Sequence, residues 1–159
     1  MATLPQLIEE DIQQFDNALR GFIRLTDATA ALIIDKGGFL ITHQGDSSQL
    51  DFTSIGALAS GAFMANQTIA GLVNESNFNS VYQQGEKSSM IVVNIDEHCL
   101  LVVIFNASTG VGIMRYHAAE TVEKVATQLA AAQKRNPDGG YDLSVLNLAD
   151  TESLFQKKK

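Results

Sequence analysis

The sequence predicts an α/β fold: a five-stranded antiparallel sheet with helices on both faces, in the order αββαβββα, followed by a C-terminal tail. Three observations carry this. Apolar residues recur at three-to-four spacing near both ends of the domain, as on amphipathic helices. Between them lie short β-branched and apolar runs separated by turn residues, too closely linked for parallel crossovers. The run Cys99–Phe105 is apolar throughout and predicts a central strand covered on both faces.

Thr3-Leu4-Pro5-Gln6 predicts a helix start, with Thr3 as cap, Gln6 at the capping-box position and Pro5 tolerated in the first turn. Leu4, Ile8, Ile12, Phe15, Leu19, Phe22 and Ile23 form its apolar stripe, to about Leu25. Ala30–Ile34 and Gly38–Thr42 flank the turn residues Asp35-Lys36-Gly37-Gly38, predicting a β-hairpin. The polar loop Gln44–Ser48 leads to Asp51, an N-cap favoured by the helix dipole. The helix that follows, to Val73, carries no charge. Phe78–Gln83 reads as a polar edge strand, Met90–Ile95 and Cys99–Phe105 as the remaining strands. The last helix has the stripe Val111, Met114, Ala118, Val122, Val125, Leu129 and Ala132, and ends on the cations Lys134 and Arg135. Residues 1–135 form one domain, and 136–159 a linker and tail.

Composition narrows the function. The chain of 159 residues has a net charge of -7, which disfavours nucleic acid and anionic membrane surfaces as partners. Ser54, Ser60, Asn66, Gln67 and Thr68 interrupt the uncharged helix, so no run of ~18 apolar residues exists and membrane insertion is not expected. Cys99, the one cysteine, excludes an intrachain disulfide, suits a reducing cytosol and reads as a buried, inert thiol.

Motifs for chemistry are missing. There is no G-x-x-x-x-G-K-[ST] loop, G-x-S-x-G elbow, H-E-x-x-H or C-x-x-C. No catalytic residue, cofactor or metal site is expected. His43, His98 and His117 read as surface histidines. Ser108–Gly112 is glycine-rich at a helix start, where phosphate can bind, but the weight lies with glycines packing a tight connection. Arg115 reads either as a solvated or paired cation or as a finger reaching a partner's active site.

The uncharged helix divides by angle at ~100° per residue. Ile55, Ala59, Ala62, Asn66, Ile69 and Val73, flanked by Leu58, Ala65 and Leu72, are assigned to the sheet. Ala57, Ser60, Gly61, Met64, Thr68 and Gly71, with Gly56 beside them, are assigned to a partner. An internal helical glycine costs about 1 kcal/mol relative to alanine. Close approach of another backbone gives Gly56, Gly61 and Gly71 a physical reason.

In this order and spacing, the sequence resembles the Roadblock/LC7 family. The resemblance rests on Asp35-Lys36-x-Gly38-x-Leu40-Ile41, Gly45, Asp51-x-Thr53-Ser54, the Gly61 region, Glu75-x-x-Phe78, Gly85, Leu101–Phe105, Gly112, Arg115 and Leu154-Phe155. It is nearest the bacterial MglB type, the partners and activators of the Ras-like polarity GTPase MglA. The resemblance implies a homodimer in which the uncharged helices lie side by side and the third strands pair across the symmetry axis. It implies a platform for an MglA-like small GTPase, acting on the GTPase's own switch region without an arginine finger. It further implies a tail that docks on the GTPase through Leu143, Leu146, Leu154 and Phe155. It also implies a cytoplasmic protein, enriched at a cell pole, serving cell polarity and motility. The alternative is a Roadblock scaffold that binds its partner and activates nothing.

Overall fold

In a computed structural model, residues 3–46 and 48–135 are described. The elements are α1 (Glu9–Thr26), β1 (Ala30–Asp35), β2 (Leu40–Gly45), α2 (Phe52–Leu72), β3 (Ser80–Gln83), β4 (Ser88–Asn94), β5 (Cys99–Asn106) and α3 (Val111–Arg135). The strands form one antiparallel sheet in the order β2-β1-β5-β4-β3. The predicted element order and antiparallel pairing are therefore those of the fold. The tail residues Leu143, Leu146, Leu154 and Phe155 lie outside the described residues.

Strand alternation builds two separate cores. Ala31, Ile33, Leu101, Val103 and Phe105 face α1 and α3 with Phe15, Leu19, Met114 and Leu129. Ala30, Leu32, Ile34, Val92, Leu100 and Val102 face α2 with Phe52, Ala59 and Phe63. Because successive side chains point to opposite faces, a strand between two helix layers must be apolar at every position. β5 is the clearest case, buried from Cys99 to Phe105. β3 lies at one edge, and its outer side has no strand partner among the described residues.

Gly45 and Gly38 combine a left-handed backbone with close approach. Gly45 has φ +111°, and a Cβ there would lie 2.4 Å from the Thr29 carbonyl oxygen. Gly38 has φ +97° in the β1–β2 turn, where a Cβ would lie 3.2 Å from Ala57 Cα. No other residue tolerates both the left-handed backbone and the contact.

The start of α1 differs from the sequence expectation. The helix begins at Glu9, not near Thr3, and residues 3–8 form a non-helical strap with Leu4 and Pro5 buried. Asp11 explains the later start. Its Oδ2 accepts from the Ile8 amide at 2.8 Å, closing the first turn. The same fully buried carboxylate accepts from Gln128 Nε2 at 2.7 Å and from both terminal nitrogens of Arg135. It thus ties the first turn of α1 to the last turn of α3. Burial pushes the Asp11 carboxyl up, but the bonds from Arg135, the Ile8 amide and Gln128 outweigh it and hold it below the usual carboxylate value. Arg135 was expected only to complement the helix dipole; it is also half of this tie.

Candidate functional site

α2 begins as expected, with Asp51 accepting from the Ser54 amide at 3.1 Å and from Ser54 Oγ at 2.6 Å. The orientation of the helix differs from the expected one. Its buried side is Phe52, Gly56, Ala59, Ser60, Phe63 and Ala70. Of the residues assigned to the sheet, only Ala59 is buried; Ile55, Ala62 and Asn66 are half-buried and Ile69 and Val73 are exposed. The helix is thus turned by roughly a quarter of a revolution on its axis, taking ~100° per residue.

Two of the assigned glycine and serine positions change meaning with this turn. Ser60 is 4% exposed, and its Oγ donates to the Lys36 carbonyl at 2.6 Å. It fastens α2 to the β1–β2 turn and is not open to a partner. Gly56 is buried too, and a Cβ there would lie 3.0 Å from Ile34 Cγ2. Its reason is packing within the chain. Among the described residues nothing lies within 4 Å of where a Cβ at Gly61 or Gly71 would be, so those residues give no packing reason for them.

The outer surface of α2 is apolar and uncharged. Leu58 is 74% and Leu72 79% exposed, and Met64, Ile69 and Val73 are exposed beside them. Ala57, Gly61, Thr68 and Gly71 are also exposed. This surface has two flanks. Leu58, Ala62, Ala65, Ile69 and Leu72 run along one, while Ala57, Gly61, Met64 and Thr68 run along the other. Beside the first flank lies a groove of about 360 Å³, lined by Leu50, Ile55, Met90 and Ile104 and by the β3–β4 turn. The edge strand β3 borders the same side of the sheet.

The other candidate residues do not join this surface. Arg115 is exposed on α3, which packs on the opposite face of the sheet from α2. Gly110 and Gly112 have open space around them, so tight packing of the β5–α3 connection is not their reason. Cys99 is buried, and burial, with Asp96 and Asp35 nearby, pushes its thiol up. His98 is buried rather than superficial, with its Nε2 3.2 Å from Glu97 Oε1. His43 and His117 are half-buried, His43 against the Phe52 ring at 4.6 Å between centroids. Among the described residues no group of His, Cys, Asp or Glu is arranged to hold a metal, and no helix is long and apolar enough to cross a membrane.

This arrangement matches known proteins. The model of the Roadblock/LC7 domain matches residues 14–105. The chain belongs to the Roadblock/LC7 family. Among solved structures, one described as MglB with tetrameric arrangement has a TM-score of 0.75 and 25% identity, covering 83% of this chain and 99% of its own. The gliding protein MglB of Thermus thermophilus has a TM-score of 0.74 and 25% identity, covering 82% of this chain and 99% of its own. A 95-residue match, 27% identical, joins the chain to the uncharacterized protein MJ1340 of Methanocaldococcus jannaschii, covering 60% of this chain and 82% of that one. The chain is a Roadblock protein related to MglB.

Proposed function

We propose that this Roadblock chain works as a homodimeric activator of an MglA-like, Ras-type small GTPase. The observation that carries the reading is the outer face of α2, where Leu58, Met64, Ile69, Leu72 and Val73 lie in water on a helix without one charged residue. A contiguous exposed apolar surface of this kind marks an interface.

The two flanks suit two neighbours. Leu58, Ala62, Ala65, Ile69 and Leu72, beside the apolar groove and the unpaired β3 edge, suit α2 of a second copy related by a two-fold axis. This is the flank first assigned to the sheet. Gly61, Met64 and Thr68, with Ala57 and Gly71, then remain open to the GTPase. At Gly61 and Gly71 no side chain keeps a partner from the helix backbone, which accounts for glycine at two positions where alanine would favour the helix by about 1 kcal/mol each.

A platform of this composition supplies no general base and no charge to the transition state. Activation therefore works by differential binding: the dimer holds the GTPase conformation in which the partner's own groups are placed for hydrolysis. The test of docking is direct. The homodimer and the GTPase loaded with a non-hydrolysable GTP analogue should comigrate on a sizing column. Gly61→Arg or Thr68→Arg should remove the complex and leave the homodimer intact. Normal binding by both variants would place the docking surface elsewhere.

A further inference from the structure

α3 leaves part of its own sheet face open. α1 lies over β1 and β2 and α3 reaches β4, while β3, at the sheet edge, lies beyond it. A groove therefore runs along one flank of α3. It opens to about 180 Å³ between Ser80 and Val93 of the sheet and Arg115, Ala119 and Val122 of the helix. Tyr82 and Val93 are only half-buried on this face, the Tyr82 ring stacked with Phe105 at 6.2 Å between centroids. Along the helix the flank continues through Ala126 to Ala130, at steps of three and four residues. Arg115 is the one charge on it. Glu120, Glu123 and Lys124 line the other seam, toward Gln14 and Asn17 of α1. Arg115 is exposed and makes no ion pair among the described residues. The cavity is smaller than the ~300–1,000 Å³ of a small-molecule site, and the long apolar flank suits a peptide segment.

We infer that this groove receives the chain's own C-terminal segment, residues 141–155, running back along α3 of the same copy. The inference does not rest on the GTPase docking proposed above. The starting point of the segment is fixed, because Arg135, the last residue of α3, is tied to Asp11. After it come Asn136-Pro137-Asp138-Gly139-Gly140, residues that reverse a chain. Length suffices. Arg115 lies roughly 30 Å back along the helix at 1.5 Å per residue, and the chain beyond Arg135 spans about 36 Å even at helical rise and more when extended. Composition agrees. Leu143, Leu146, Leu148 and Phe155 bring apolar side chains to an apolar flank. Asp138, Asp142, Asp150 and Glu152, with no cation before Lys157, face the unpaired Arg115. A short link raises the effective concentration of the segment to the ~mM range, so a contact that is weak in free solution is still populated. Leu143, Leu146, Leu154 and Phe155 are the residues that the family resemblance gives to the GTPase. Held in their own groove, they are withheld from that partner until it competes for them.

The chain has no tryptophan, so Leu146→Trp or Leu148→Trp places a single reporter in the segment. In the full chain, acrylamide should quench at least one of these two reporters several-fold less than the same tryptophan in a synthetic peptide of residues 136–159. Ala119→Glu puts a carboxylate at an exposed position on the flank, one helical turn from Arg115. It should raise quenching to the level of the peptide, and Arg115→Glu should raise it part of the way, both with unchanged far-UV circular dichroism. An excess of tryptophan-free Ala119→Glu chain, mixed in and equilibrated, should leave the reporter protected, because its own groove is intact. Quenching equal to that of the peptide at both reporter positions refutes the docking. Protection that survives Ala119→Glu and Arg115→Glu puts the segment elsewhere and refutes the groove. Protection lost on mixing gives the groove to the tail of a neighbouring copy and overturns the inference as stated.

Discussion

Leu58→Ala is predicted to weaken the proposed homodimer without touching the fold of either copy. Leu58 is 74% exposed in the single chain, so most of its side chain has burial still to gain. The substitution removes three carbons, each worth about 0.8 kcal/mol when buried. Scaled by the exposed fraction, that is roughly 1.8 kcal/mol per copy if the partner covers the side chain completely. A two-fold interface uses each residue twice, which gives about 3.5 kcal/mol for the dimer. Half coverage gives about half as much. The dissociation constant should therefore rise roughly 20- to 300-fold. Sedimentation equilibrium over a dilution series reads this directly. Far-UV circular dichroism of the dilute protein should be unchanged, because Leu58 adds nothing to either core. A dissociation constant within threefold of wild type would show that this flank of α2 is not the dimer contact, and the division of the helix between two neighbours would fall.

Three further outcomes follow from the packing. Gly61→Ala should stabilise the isolated domain by up to about 1 kcal/mol in urea unfolding, since its Cβ meets open space, while weakening the GTPase complex; Gly56→Ala should gain less or lose stability, because its Cβ meets Ile34. The Asp11 carboxyl is held below its ordinary 3.8 in the folded chain, so it contributes stability that is complete above that value and is lost as pH falls through the lower, folded one. Urea midpoints taken from pH 7 to pH 3 should therefore fall for wild type on the acid side, and Asp11→Asn should be weaker at pH 7 with a flatter acid limb. Truncation after Gly140 should leave a cooperatively unfolding domain, since the described residues before it already form two cores; a chain without a thermal transition would show otherwise.

The fold was legible because each strand announces its environment. The unbroken apolar run of β5 and the turn residues between short strands fix an antiparallel sheet covered twice. The phase of α2 was not legible from its apolar residues. A helix apolar on nearly every side gives the 3.6-residue period nothing to report, so the stripe through Ile55, Ala62 and Ile69 looked like a core face, whereas Ile55 and Ala62 are half-buried and Ile69 is exposed. The signal that would have set the phase was size. Phe52 and Phe63 stand eleven residues apart, about 20° on a helical wheel, and both are buried. The exposed residues Gly61, Met64 and Thr68 were placed on an open side by either reading. Asp11 and Arg135 lie 124 positions apart, and no local pattern joins them. His98 looked superficial because it sits in a turn, yet it is buried.

An uncharged platform that offers no catalytic group is proposed to accelerate hydrolysis on another protein. The most direct test is single-turnover GTP hydrolysis by the Ras-like GTPase of the same cell, measured alone and with saturating homodimer. The rate should rise with the dimer, and the rise should be unchanged by Arg115→Ala and absent with Gly61→Arg. A GTPase that binds the dimer fully and hydrolyses GTP at its intrinsic rate would contradict activation and leave a scaffold that only binds.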